Sequence, residues 1–148
     1  MEKINFSSGD LVAVGDVHGQ IHLLHLLLDA VRGTGVRLLF LGDLIDRAKR
    51  PEDDVAVLDL VHALAEAPEV EGLTSVEVLR GNHEDMLLKA MERNGWDDLT
   101  LWANNGGAVE KLDELQVHKE WLESLPLYKL VDRTVFVHAG LRPHIPLP

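Results

Sequence analysis

The stretch Gly15-Asp16-Val17-His18-Gly19 decides the fold, because it directly follows a short apolar run over residues 11–14. Three later segments repeat this pattern of an apolar run followed by polar side chains: Gly42-Asp43-Leu44-Ile45-Asp46-Arg47, Gly81-Asn82-His83-Glu84 and Val137-His138-Ala139-Gly140. Their apolar runs, residues 36–41, 75–79 and 134–137, are short and rich in valine and leucine, which predicts buried parallel strands. Ligands collect beyond the carboxyl ends of such strands. The four strand ends therefore predict a metal site.

The segments between these runs have the spacing of helices. Apolar residues three and four positions apart predict helices over residues 20–32, 51–67, 84–93, 97–103 and 108–115, with a further one around Trp121. Residues 127–131 and 134–137 predict a closing hairpin. Alternating strands and helices predict βαβ units and a largely parallel sheet. We interpret residues 1–148 as a single α/β domain.

Composition limits the compartment and the chemistry. Apolar residues make up 46% of the chain and the mean hydropathy is zero, so a disordered tail is not indicated. The sequence contains no run close to the roughly 20 apolar residues that cross a bilayer, and its first residues lack the pattern of an export signal. We therefore expect a cytoplasmic protein without a membrane partner. The chain has no cysteine, so a metal site would use histidine, carboxylate and amide ligands.

The net charge of −11 argues against a nucleic-acid partner, because such a surface needs a basic stripe. The same charge repels phosphate over most of the surface. A phosphate substrate would need local cations that reverse the sign at the site.

Five polar residues at the four strand ends are candidate metal ligands. Asp16 and His18, two residues apart, can point the same way and chelate one cation, although an Asp-x-His pair alone also fits a turn cap or a surface pair. Asp43 can bridge two ions through its two oxygens. Asn82 and His138 would add an amide oxygen and an imidazole to the coordination of the second ion. Two ions about 3.5–4 Å apart can clamp a phosphoryl group.

Other polar residues are candidates for proton transfer and phosphate binding. His83 is a candidate general acid, and Asp46 is the carboxylate that would orient it. Arg47 offers a planar fork for phosphate oxygens, although Asp46 and Arg47 also fit an ordinary salt bridge in a loop. Arg142 is a second candidate phosphate contact. Arg80 either faces phosphate or pairs with an acidic neighbour.

The four blocks quoted above resemble, in order, the signature blocks of calcineurin-like metallophosphoesterases, and more narrowly those of the phosphoprotein phosphatase branch. That branch includes bacterial Ser/Thr and Tyr phosphatases and related diadenosine tetraphosphate hydrolases. The resemblance implies a mixed β-sandwich flanked by helices and a dinuclear centre. The centre is usually occupied by Mn²⁺, with Fe, Zn or Mg as alternatives. It also implies the residue roles given above and a single-step attack by metal-bound hydroxide.

The resemblance implies a metal-dependent phosphatase that acts on phosphomonoesters of proteins or peptides. The alternatives are a dinucleoside polyphosphate hydrolase and a catalytically weak protein that binds phosphorylated ligands. The tryptophans at positions 96, 102 and 121 are predicted to be core or groove-lining residues. The segment Asn104-Asn105-Gly106-Gly107 resembles a family element and is predicted to form a turn near the site.

The chain departs from the family pattern after His138. Family members continue to a further strand that carries another histidine for the second metal, whereas this sequence stops at Pro148. We therefore expect part of the second sheet to be missing and the second metal site to be weakened. Three explanations remain open. Water or His144 could take the place of the missing histidine ligand. A second copy of the chain could pair at the exposed sheet edge and supply the ligand. The chain could also be a fragment.

Overall fold

The computed structural model describes residues 5–92 and 96–144, and these form an α/β fold, as predicted. The strands are β1 Leu11–Val14, β2 Arg37–Phe40, β3 Ser75–Val78, β4 Tyr128–Val131 and β5 Thr134–Val137. The helices are α1 Ile21–Val31, α2 Pro51–Glu66, α3 Asn82–Glu92, α4 Trp96–Asn104, α5 Leu112–Leu115 and α6 Lys119–Ser124. Single 3₁₀ turns occupy Pro68–Glu71, Val109–Lys111 and Gln116–His118.

The first three strands form a parallel sheet in the order β1-β2-β3. In the central strand, Leu38, Leu39 and Phe40 are at most 1% exposed, which agrees with three consecutive apolar residues in a strand buried on both faces. The carboxyl ends of all three strands lie at one edge, so the loops that follow them are neighbours. The sheet therefore confirms the parallel arrangement for the first three apolar runs.

The prediction that the fourth run is also a parallel strand is wrong. β5 pairs antiparallel with β4 in a separate two-stranded sheet, which confirms the predicted hairpin. Only two residues separate these strands, whereas a parallel connection needs a crossover of a dozen or more. The hairpin is attached beside β3, since the Arg80 N–H donates to the Pro126 carbonyl at 2.9 Å and Lys129 pairs with Glu77.

The helices agree with the predicted periodicity, with two differences. α3 begins at Asn82 rather than at residue 84, and its predicted end near residues 94–95 lies outside the described residues. The helix predicted over residues 108–115 is confirmed only for its last four residues, because a 3₁₀ turn precedes a short α5. The chain turns tightly there and seats Leu112 and Leu115 in the core.

The core lies between the parallel sheet and the helices. Leu58, Leu87 and Trp102 are fully buried in it. Within residues 5–92 and 96–144, none of the helices combines the length and the apolar character needed to cross a membrane.

Candidate metal centre

The loops after β1 and β2 are joined by backbone hydrogen bonds. The N–H groups of Val17 and His18 donate to the Asp43 carbonyl at 2.9 and 3.0 Å. His18 and Asp43 both have positive φ, 44° and 53°, a conformation that side chains other than glycine adopt at a cost. These bonds hold both residues in that conformation and fix their side chains relative to each other.

His18 is oriented for metal binding. Its Nδ1–H donates to the Ile45 carbonyl at 2.8 Å, which leaves Nε2 unprotonated when the ring is neutral. Nε2 lies 3.7 Å from Asp16 Oδ2 and 3.8 Å from Asp43 Oδ2. A backbone carbonyl that fixes the tautomer in this way is typical of metal-ligating histidines.

On the other side of Asp43, a hydrogen bond to a backbone carbonyl orients His138 in the same way. Its Nδ1–H donates to the Leu41 carbonyl at 2.9 Å. Its Nε2 lies 2.9 Å from Asn82 Oδ1 and 3.3 Å from Asp43 Oδ1. With a neutral ring, three electron-pair donors converge without a proton between them. A divalent cation would satisfy all three, so these residues fit the metal that the sequence predicts.

The central residue of the arrangement is Asp43, which is 3% exposed. Its Oδ2 faces His18 and its Oδ1 faces His138, as a bridging ligand requires. Ligand atoms of Asp16, Asp43 and His138 lie within 4.8 Å of one another, and so do those of His18, Asp43 and His83. The structure thus brings together all the predicted ligands, with Asn82 placed by its contact with His138. Their division between two ions stays a prediction.

Glu84 supports this cage, a role that was not predicted from the sequence. It is fully buried, and its carboxylate accepts the backbone N–H groups of Gly81 at 2.8 Å, Asp43 at 2.9 Å and Leu44 at 2.7 Å. Burial raises the pKa of this carboxyl, against the effect of the three N–H donors. Its place next to His83 in the third block was the only sequence signal. The bonds tie the loop after β2 to the start of α3.

His83 and Asp46 form a buried pair next to the cage. His83 Nδ1 lies 2.6 Å from Asp46 Oδ2, and the two side chains are 1% and 0% exposed. Burial lowers the pKa of His83 and raises the pKa of Asp46 to about 7, because the low-dielectric interior disfavours charge on both groups. His83 Nε2 lies 3.9 Å from Asp43 Oδ2. The ring nitrogen that is not bonded to Asp46 therefore faces the metal cage.

A tryptophan contacts the same pair. Trp102 is fully buried, as predicted for a core residue, but its indole Nε1–H donates to both oxygens of Asp46, at 2.9 and 3.0 Å. This contact was not predicted from the sequence. The two residues are 56 positions apart, and no local pattern links them.

Of the two arginines predicted to bind phosphate, Arg47 and Arg142, only Arg47 contacts the site among the described residues. Arg47 lies at the site, where its guanidinium donates to His18 Nε2 at 3.0 Å. Arg142 is exposed, and no contact with the site fixes it among the described residues. Arg80 pairs with Asp85, its Nε lying 3.2 Å from Asp85 Oδ1. His144 is exposed and belongs to neither ligand group in the described part of the chain.

Comparisons with known proteins found a matching family model and similar sequences. Residues 10–147 match the family model described as calcineurin-like phosphoesterase. The chain is 30% identical over 142 residues to a serine/threonine-protein phosphatase 7 long form homolog of Arabidopsis thaliana, covering 94% of this chain and 10% of that protein.

Solved structures share the fold. A protein provisionally named a diadenosine tetraphosphatase superposes with a TM-score of 0.62 at 26% identity, covering 95% of this chain and 54% of that one. A cold-active protein-tyrosine phosphatase of a Shewanella species gives 0.61 at 23% identity, covering 96% and 45%. A serine/threonine phosphatase of Saccharomyces cerevisiae gives 0.58 at 24% identity, covering 91% and 39%. The last two show the fold alone. The chain spans about half the length of these structures or less.

Proposed function

We propose that this chain, which belongs to the calcineurin-like phosphoesterase family, is a metal-dependent phosphatase. Its substrates would be phosphomonoesters of proteins or peptides. The observation that carries this proposal is the convergence on Asp43 of two histidine rings, both oriented by backbone carbonyls, with Asn82 Oδ1 beside one of them. A cation at this cluster would be bound by acceptors that carry no proton between them.

The residues divide between two proposed cations. Asp16, His18 and Asp43 would hold one, and Asp43, Asn82 and His138 would hold the other. We propose Mn²⁺, since oxygen and imidazole ligands suit it. When bound, such a pair of cations supplies positive charge for the phosphoryl group and lowers the pKa of water.

Arg47 and His83 would act on the substrate directly. The Arg47 guanidinium lies at the mouth of the cage on His18 Nε2. A cation at that nitrogen would release it toward phosphate oxygens. His83 would donate a proton from Nε2 to the leaving-group oxygen. This requires protons on both ring nitrogens, which burial opposes, so an ionised Asp46 bonded to Nδ1–H is needed to stabilise the imidazolium.

A second function in the same chemical class is hydrolysis of dinucleoside polyphosphates. The similarity to the protein provisionally named a diadenosine tetraphosphatase favours it. Comparing a phosphopeptide with diadenosine tetraphosphate at equal concentration separates the two substrates. We expect the larger kcat/KM for the phosphopeptide, and the reverse order would reassign the substrate class.

The experiment that tests the enzyme is turnover of p-nitrophenyl phosphate with Mn²⁺ and with a chelator. We expect turnover only with the metal. The substitution His83→Ala should lower kcat for phenyl phosphate, whose leaving group needs the proton, by about 10²–10⁴-fold while metal content stays unchanged. His25→Ala is the matched control, because His25 is exposed on α1. If phosphate binds but no metal stimulates turnover, the protein is a phospho-ligand binder and the proposal is wrong.

A further inference from the structure

We propose that Trp102 is a positioning residue for the general acid His83. Trp102 holds Asp46 in place, and Asp46 in turn orients His83 so that its Nε2 points at the leaving group. This inference rests on the phosphatase function proposed above. It adds a residue from α4, outside the four sequence blocks, to the proton-transfer apparatus.

The contact is well suited to fix a carboxylate. The indole Nε1–H lies 2.9 Å from Asp46 Oδ1 and 3.0 Å from Oδ2, so it is shared by both oxygens. Oδ2 also accepts the His83 Nδ1–H at 2.6 Å. Rotation of the carboxylate about its Cβ–Cγ bond would break the shared bond and shift the oxygen that holds His83. The indole therefore sets the orientation of the imidazole through Asp46.

Asp46 needs such support because its loop is strained. Its φ is +70° and that of Arg47 is +60°, in the left-handed region that non-glycine residues adopt at a cost. Asp46 is also fully buried, where a carboxylate oxygen without a hydrogen bond is costly. The indole N–H supplies a donor that keeps this conformation favourable.

The end of α4 holds Trp102 in turn. A side chain at Gly107 would place its Cβ 2.3 Å from the Trp102 ring, so only glycine lets the backbone lie against the indole. The Gly107 N–H donates to the Trp102 carbonyl at 3.1 Å, and the Gly106 carbonyl accepts the Arg47 N–H at 3.0 Å. The predicted turn over residues 104–107 therefore does lie near the site. It braces both the acid pair and the phosphate-binding arginine.

A positioning role has a signature that a purely structural role lacks. Proton donation matters most when the leaving group is a poor one, because a good leaving group departs without it. Loss of the indole N–H should therefore slow phenyl phosphate more than p-nitrophenyl phosphate. General damage to the fold or to the metal cage would slow both substrates by the same factor.

Two variants test this. Trp102→Phe removes the donor, and Trp121→Phe is the matched control, because Trp121 stacks on His62 rather than contacting Asp46. The second variant guards against misfolding. In a Trp96→Phe/Trp121→Phe background, Trp102 is replaced by β-(3-benzothienyl)alanine, which keeps the ring shape and substitutes sulfur for the N–H. In both variants we expect kcat/KM for phenyl phosphate to fall about tenfold or more and that for p-nitrophenyl phosphate less than about threefold.

A proton NMR measurement tests the contact between Trp102 and Asp46 without relying on enzyme turnover. The His83 Nδ1–H, in a short bond to Asp46, should give a strongly downfield resonance that shifts or disappears in the benzothienyl variant and not in its parent. A leaving-group-selective loss together with this shift supports the inference. Equal loss on both substrates, no loss, or an unmoved resonance overturns it. If wild-type protein shows no metal-dependent turnover, the proposed function fails by itself, and the resonance still decides the Trp102 contact.

Discussion

The buried carboxyl group of Asp54 should make the free energy of unfolding depend on pH in an unusual way. It lies in the first turn of α2, is 1% exposed, and its Oδ1 has no hydrogen-bond partner among the described residues. A Cβ on Gly19 would come within 2.4 Å of this oxygen, so the carboxylate is packed closely against the loop after β1. Burial, and to a smaller extent the charge of Asp46, raise its pKa to about 7, against a backbone hydrogen bond from Asp46 that lowers it.

The size and sign of the effect follow from this shift. A rise from 3.8 to about 7 corresponds to at most about 4 kcal/mol at 1.36 kcal/mol per pKa unit. Because the folded state binds this proton more tightly than the unfolded state, the stabilisation is fully present below pH 3.8. It is lost as the pH rises to about 7. Asp54→Asn cannot ionise, so we expect it to be about 2–4 kcal/mol more stable than wild type at pH 8 and equal to it near pH 4.

The assay is urea denaturation from pH 4 to pH 8.5 in the presence of a chelator, so that metal binding does not contribute. Asp53→Asn is the control on the neighbouring residue. A hydrogen bond from Arg50 lowers the pKa of Asp53, so its stabilisation is present at high pH and is lost as the pH falls. An Asp54→Asn difference that did not change with pH, or a loss of stability at pH 8, would refute the reasoning.

Two further variants test whether Glu84 supports the cage and whether His144 binds metal. Glu84→Ala leaves three buried backbone N–H groups without an acceptor and should lower the free energy of unfolding by about 3–5 kcal/mol; an unchanged urea midpoint would contradict this. His144→Ala should leave the number of Mn²⁺ ions bound per chain unchanged, because His144 is exposed and outside both ligand groups; metal analysis that shows a lost ion would make it a ligand.

Much of the site could be predicted because its residues sit in local patterns. Each predicted ligand follows an apolar strand, and parallel strands bring their carboxyl ends to one edge, so the gathering of Asp16, Asp43 and Asn82 follows from the topology. His138 reaches the same place although its strand is antiparallel, because the hairpin lies beside β3. The direction of that strand was predicted wrongly, since a run of four apolar residues does not specify its partner.

The sequence by itself determined the α/β class, the three parallel strands and the identity of the cage residues, because hydrophobic period and strand-end position are local properties. Only the tertiary structure decided which ring nitrogens face the cage, how Glu84 ties two loops, and that Trp102 bonds to Asp46. These depend on hydrogen bonds between residues 27 or more positions apart. Such bonds form where packing brings a donor within 3 Å of an acceptor, and no periodicity in the chain encodes that distance.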